Sequence, residues 1–418
     1  MRKLLTILLI TVLSTATVLA NGSSEKTVAE NKPVTVYLVH SKQEISKQLD
    51  EAIAAYTASH PNVNIVAEFL SDYTTTIKTK FNGGDEPDVF TITGYTDTKL
   101  WQEYLEDLSA EPWAKDIIDI ARDGATIDGK LYAFPLCLEG YGYMYNADLL
   151  ASAGITEMPA TRADFEAIVS QLERIGIQPL VELYSSYYQL GNFWTNVGFA
   201  RQEDPVAFIE GLNNGTETFV GNKEFIDLAN FLLYDTAHAK DALNTTFSLQ
   251  VSNFAKAQAA MTLGGNWNEP TLEGAGASFR YGLMPICIND DVQKNDNLFV
   301  GVSVYWGINK NADPAVKAAA KDFFDWLACT KEGQGYMTDV MRLVPPFSGF
   351  DINYEKYGYL SRDLLSHMEE NKVLGMYYNF FPAGGPQALG TVTQKLVGGQ
   401  LTVEQYLVEL QAAWDNLL

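Results

Sequence analysis

The sequence predicts an α/β protein of two domains. Three observations carry this. From residue 34 to 93, β-branched runs alternate with amphipathic stretches, the pattern of a parallel sheet flanked by helices. The chain has 418 residues, more than one hydrophobic core comfortably organises. Residues 128–148 read as a chain passing from one domain to the other, and Glu139 is the one carboxylate of its apolar run, 131–145, among leucine, cysteine and tyrosines.

The first strand is 34–39, short and β-branched enough to be buried on both faces. His40-Ser41 ends it, and Ser41 with Glu44 forms a capping box for a helix whose inner face carries Ile45, Leu49, Ile53 and Tyr56. His60-Pro61-Asn62 turns the chain into a second strand, 63–70. A helix over 73–81 stops at Asn82-Gly83-Gly84, and 87–93 is the third strand. The glycines end a helix rather than start one, and no GxxxxGK[ST] is present, so they are a C-cap and not a phosphate loop.

Asp128-Gly129 supplies the positive-φ turn of a hairpin. Pro135 removes a ladder donor, so its segment is an edge or connecting strand. Asn146 caps the next helix. Further on, Thr161 with Asp164 caps a helix bearing Phe165, Ile168, Val169 and Leu172, and 176–180 leads into another strand. Residues 184–194 are dense in aromatics, and 225–234 is helical. Residues 262–268, Thr-Leu-Gly-Gly-Asn-Trp-Asn, read as a loop at a strand end, 281–288 as a strand, and 299–303 as a second extended crossing. Asp313-Pro314 opens a helix with proline at its first position. Thr402 with Gln405 boxes the last one, whose stripe is Val403, Tyr406, Leu407, Leu410 and Trp414.

The N-terminus reads as an export signal: Met1-Arg2-Lys3, an apolar run from Leu4 to Leu13, and Val18-Leu19-Ala20 for cleavage after Ala20. The run is too short to span a bilayer. Residues 21–32 are polar and aperiodic, a disordered leader. The protein is therefore expected outside the cytoplasmic membrane, in the periplasm or on the extracellular face. Its net charge of −23 argues against nucleic acid and anionic membrane surfaces as partners. Cys137, Cys287 and Cys329 are widely spaced in apolar surroundings, with no zinc pattern, and are expected as buried thiols.

Several motifs recur here in a familiar order: His60-Pro61-Asn62-Val63, Gly84-Asp85-Glu86-Pro87-Asp88-Val89, Asp128-Gly129-Lys130-Leu131-Tyr132-Ala133-Phe134-Pro135, Tyr145-Asn146-Ala147-Asp148-Leu149-Leu150, Ala260-Met261-Thr262-Leu263-Gly264-Gly265-Asn266-Trp267 and Phe299-Val300-Gly301-Val302. Over nearly all of the mature chain this resembles the extracellular solute-binding proteins of bacterial ABC importers, in the maltose-binding-protein-like carbohydrate group. The resemblance implies a two-lobe periplasmic-binding-protein-like fold of type II, with discontinuous lobes joined by hinge strands near 136–139, 299–303 and 340–345. The lobes would be 33–137 with 302–340, and 138–301 with 341–418. It implies a carbohydrate ligand, a membrane permease as partner, a monomer, and no cofactor.

The resemblance also implies site residues. Glu139 matches the family's glutamate after the first hinge strand, and Trp267 its stacking tryptophan. Thr93 and Tyr95 follow the third strand, where ligand contacts fall. The family's acidic and basic contact pair after the first strand is not reproduced: His40-Ser41 stands there, a departure that speaks against maltodextrin itself. The C-terminal stacking aromatics correspond to 377–381. The ligand-binding candidates are Glu139, Trp267, Asn266, Asn268, Thr93, Tyr95, His40, Ser41, Tyr184 and Phe381, with no catalytic or metal-ligating residue among them.

The residue types suit sugars, which need flat aromatics for C–H faces and planar polar groups for hydroxyls. Trp267 between Asn266 and Asn268 offers both, as does 184–194. Core packing is the alternative for any aromatic, and periodicity does not say which way Tyr187, Tyr188 and Trp194 point. Glu139 among apolar neighbours needs donors, and ligand hydroxyls are the natural ones. A secreted glycosidase would need two paired acids, and no second acid neighbours Glu139 in sequence. No GxSxG or HExxH occurs, and the four histidines are scattered. A non-sugar solute binder of the same fold is the other alternative.

Overall fold

The computed structural model describes residues 33–418; the expected export signal and leader lie outside the described residues. In chain order, β1 (Val34–His40), β2 (Val63–Phe69) and β3 (Val89–Ile92) are linked by the helices Ser46–Ser59 and Tyr73–Gly83. The second of these ends on Gly84 at φ 75°, the left-handed cap only glycine takes freely. β4 (Thr126–Ile127) and β5 (Lys130–Leu131) form a hairpin on Asp128-Gly129, both residues at positive φ. β6 (Phe134–Pro135) is followed by β7 (Glu139–Asn146), β8 (Met261–Gly265), β9 (Tyr281–Met284), β10 (Leu298–Gly301), β11 (Tyr305–Ile308) and β12 (Val373–Gly375).

These strands make two main sheets. The first runs β2-β1-β3-β11-β6. β1 is parallel to both β2 and β3, as the βαβ alternation requires, and β11 and β6 add antiparallel pairings at the other side. Pro135 lies on the edge strand, where its missing N–H costs nothing. The second sheet runs β12-β10-β7-β8, with β9 also on β7. β7 is its axis: it pairs with β10 through Glu139–Tyr141, with β9 through Tyr143–Asn146, and with β8 along its other side. The chain thus leaves the first sheet at β6 and enters the second at β7, and returns between β10 and β11.

The connections are bonded to one another. Leu136 N–H donates to Val304 O at 3.1 Å, and Leu138 N–H to Val344 O at 2.8 Å. The third connection runs on past residue 345. Phe347 still packs on Trp113 and Phe134 of the first lobe, and Phe350 stacks on Phe347, before the helix Tyr359–Glu369 returns the chain to the second.

Several local expectations hold in the described residues. Capping boxes form at Thr161/Asp164 and Thr402/Gln405, and Pro314 opens its helix. Four others are corrected. The strand expected to follow 176–180 does not form: Leu180 makes isolated bridges to Ala239 and Met261, and 181–183 are in no strand. Thr262–Gly265 is strand, not loop. Its glycines are there because neighbours crowd in: a Cβ on Gly265 would stand 2.4 Å from Gly140 O, and one on Gly264 2.5 Å from Met144 Cε. Ser41 does not cap; Glu44 turns instead to Lys42. Cys329 is exposed, while Cys137 and Cys287 are buried free thiols.

Candidate ligand-binding site

The two sheets face each other across a cleft of about 790 Å³. From the first lobe Ser41, Lys42 and Glu44 reach it from the end of β1, with Ser71 after β2 and Thr93 after β3. The connections contribute Glu139, Ser303 and Val304. The second lobe contributes Ser185, Ser186, Tyr188 and Asn192, then Thr246 and Phe247, Trp267, and finally Tyr378 and Asn379. The wall is thus hydroxyls, amides and aromatic rings, with three charges together at one place.

Those charges are a paired group. The Lys42 ammonium donates to Glu139 and lies 2.6 Å from Glu44 Oε1. Burial alone would lower the Lys42 pKa, but the carboxylates of Glu139 and Glu44 hold it well above its usual value. Burial pushes the Glu44 carboxyl up, and Lys42 more than reverses this, leaving it lowered. Glu139 therefore has a protein donor, where the sequence pointed to ligand hydroxyls alone. Lys42 and Glu44 follow the end of β1 and pair with each other at one side of the cleft.

The aromatic faces form one cluster. Trp267, half-buried, stacks on Phe193 with centroids 5.0 Å apart and planes 20° apart. Tyr188 and Tyr378 meet Phe193 edge-on at 5.1 and 5.9 Å. Phe193 is buried in a π-helical turn, Gln189–Trp194, and so fixes three rings that line the cleft. Tyr188 keeps 46% of its surface open, a flat apolar face with a polar tip, the usual partner of a sugar C–H face.

Of the sequence candidates, the structure brings Glu139, Trp267, Thr93 and Ser41 to the cleft. The others are elsewhere, each for a physical reason. Asn266 is a clamp: its Oδ1 accepts from Gly140 N–H at 3.0 Å and its Nδ2 donates to Leu138 O at 3.4 Å, at the edge of a narrow recess beside Glu139. Asn268 Oδ1 accepts from Gly265 N–H at 3.1 Å, capping the turn. His40 is buried at the end of β1 against Phe69, and burial lowers its pKa. Tyr184 is fully buried, its hydroxyl given with that of Tyr143 to Asp235. Phe381 packs between Phe199 and Trp414. Tyr95 stacks on Phe380, outside the cleft.

Within the expected segment 377–381 it is Tyr378 and Asn379, not Phe381, that line the cleft, and the cleft residues that sequence reasoning missed include Lys42, Glu44, Asn192 and Phe247. Lys42-x-Glu44 directly after a strand end was the one available signal. Among the described residues no cluster of three metal-ligating side chains occurs, and no helix is long and apolar enough to cross a membrane.

This architecture is that of a type II solute-binding protein. The sequence profile described as bacterial extracellular solute-binding protein matches residues 41–334, and the chain belongs to that family. It is similar to the multiple sugar-binding protein of Streptococcus mutans, 20% identical over 272 residues, 63% of this chain and 64% of that protein. It is also similar to the melibiose/raffinose/stachyose-binding protein MelE of Bacillus subtilis, 25% identical over 180 residues, 42% of each chain. The chain thus spans less than two thirds of the length of either relative. The solved structure of the solute-binding protein RafE in complex with raffinose superposes with a TM-score of 0.78 at 18% identity, over 92% of this chain and 99% of that one.

Proposed function

We propose that this protein is the solute-binding component of an ABC importer, and that it captures a neutral sugar or oligosaccharide in the interlobe cleft for delivery to a membrane permease. The observation that carries this reading is the pairing of Trp267, Tyr188 and Tyr378 with hydroxyl and amide groups across one cleft. Neutrality follows from the charges: the one lysine of the wall is engaged by two carboxylates, so an acidic sugar meets no free cation. The relatives' names, for multiple sugars and for melibiose, raffinose and stachyose, support the same class.

The residues we assign to the ligand are Glu139, Trp267, Thr93 and Ser41, joined by Tyr188, Tyr378, Asn192 and Asn379. The lobes are taken as 33–137 with 302–350, and 138–301 with 359–418, because Phe347 and Phe350 still lie with the first lobe. The protein acts as an exported monomer that binds without turnover. Glu44 and Glu139 are two carboxylates in one cleft, yet both are held by Lys42, and a lowered Glu44 is no general acid at neutral pH.

The test is a thermal-shift and calorimetric screen against neutral, acidic and amino sugars. A ligand at about 100 times its dissociation constant stabilises by about 2.7 kcal/mol, which such a screen detects. Stabilisation by a neutral oligosaccharide without product is the expected result. Preferential binding of a uronic acid, or hydrolysis lost in Glu139→Gln, would overturn it.

A further inference from the structure

We propose that Tyr95 and Phe380 form a clasp between the lobes: positioning residues that touch no ligand yet set how tightly the cleft holds one. Tyr95 follows β3 in the first lobe and Phe380 ends the turn Tyr378–Phe380 in the second. Their rings stack across the gap, centroids 3.6 Å apart and planes 29° apart. Each partner is tied to a cleft wall. Thr93, two residues before Tyr95, lines the cleft, and so does Asn379, the residue before Phe380. On the other side of the stack lies a separate cavity of about 240 Å³, bounded by Tyr95, Phe380, Gly301 and Val302.

The backbone of Tyr95 argues that the ring is placed there for a purpose. Tyr95 has φ 50°, a region disfavoured by any residue with a Cβ, and follows Gly94 at φ 88°. Its N–H is held by Gly124 O at 2.6 Å. A turn needing only to reverse the chain would take a second glycine; this one projects an aromatic ring onto the opposite lobe. Such a contact exists only while the lobes are together. It raises the fraction of molecules competent to bind, and so lowers the apparent dissociation constant of every ligand by one factor.

The clasp rests on the reading that the cleft binds a solute, so the test separates the two. Small-angle scattering of the free protein is compared for wild type, Tyr95→Ala, Phe380→Ala, the double variant and Phe380→Tyr, and calorimetry uses raffinose and stachyose. Each alanine variant is expected to have a larger free radius and to weaken both sugars equally, by about three- to tenfold, the worth of one aromatic pair. The double variant should be no weaker than either single one, and Phe380→Tyr should retain wild-type behaviour. Free radii identical to wild type would overturn the clasp. A loss for one sugar only would also overturn it, since the rings would then be touching ligand. If wild type binds neither sugar, the functional reading fails for them while the radii still decide the clasp.

Discussion

Lys42, two residues past β1, bonds Glu139, the first residue of β7, across 97 positions of sequence. One lobe thereby holds the strand that begins the other. Glu44 is a second partner for the same ammonium, and the two carboxylates are not equivalent when removed. Glu139→Gln leaves Lys42 paired with Glu44, so the fold should survive while sugar binding weakens by about 1.5–3 kcal/mol, the range for hydrogen bonds to charged groups. Lys42→Met strands two carboxylates in a site where the lysine itself is nearly buried, and should cost about 3 kcal/mol or more of stability. Calorimetric titration and urea unfolding of both variants read these effects; equal destabilisation by the two would contradict the asymmetry.

Trp267 should separate binding from stability. It is half-buried and supported from below by Phe193. Trp267→Ala should abolish measurable sugar binding at a stability cost of about 0.5–1.5 kcal/mol, the worth of the lost stack. Trp194→Ala is the comparator: fully buried, it should cost about 3–5 kcal/mol. Chemical denaturation of the free proteins gives both numbers.

Asn266→Ala should behave the other way round. The amide satisfies Gly140 N–H and Leu138 O at the start of β7, and a buried backbone group left unpaired costs about 1–3 kcal/mol. Stability should fall by that amount and affinity by less. An affinity loss larger than the stability loss would return Asn266 to the list of ligand contacts.

Stability should rise as pH drops from 7 towards 5. Burial pushes the Glu269 carboxyl up to about 6, even though Leu360 N–H, Ser361 N–H and the Ser361 hydroxyl donate to it. Its folded pKa lies above the unfolded value, so the stability tied to its protonated form is complete below about 4.3 and lost as pH rises through 6. At about 1.4 kcal/mol per unit, the effect is about 2 kcal/mol. Below about pH 4 the lowered carboxyls of Glu44 and Glu106 reverse the trend as they protonate. Asp235 and Asp325, also raised to about 6 by burial, act in the same sense, and the lowered His40 opposes them. Scanning calorimetry should therefore show a maximum near pH 5, with Glu269→Gln reducing the rise towards it without abolishing it.

What the sequence disclosed was local or periodic. Asp128-Gly129 announced its turn by residue type, Pro135 its place on an edge, and Thr161 its helix start. The crossing at 136–139 was legible because an apolar extended run with a proline and a lone acid suits few other places. The ion pair was not, because nothing local links Lys42 to Glu139. Tyr184 and Tyr188 differ by four positions, yet one is core and one faces the cleft; a turn lies between them and a π-helix begins at Gln189, so no single period could sort them. Gly264-Gly265 looked like a loop because glycine marks both turns and close strand approach, and only the positions of Met144 and Gly140 decide which.

The bonds from Leu136 to Val304 and from Leu138 to Val344 have a mechanical meaning. Three chain segments cross between the lobes, but they are stitched into one narrow seam, like the spine of a book whose covers are the two sheets. For any rotation about that seam displacement grows with distance from it, so the rims of the cleft would travel far while the amides at the spine would barely shift. Glu139 begins β7 immediately beside that spine. In such a rotation the carboxylate of Glu139 would stay nearly still, and a solute seated on it, as proposed above, would be approached by the aromatic wall rather than dragged towards it.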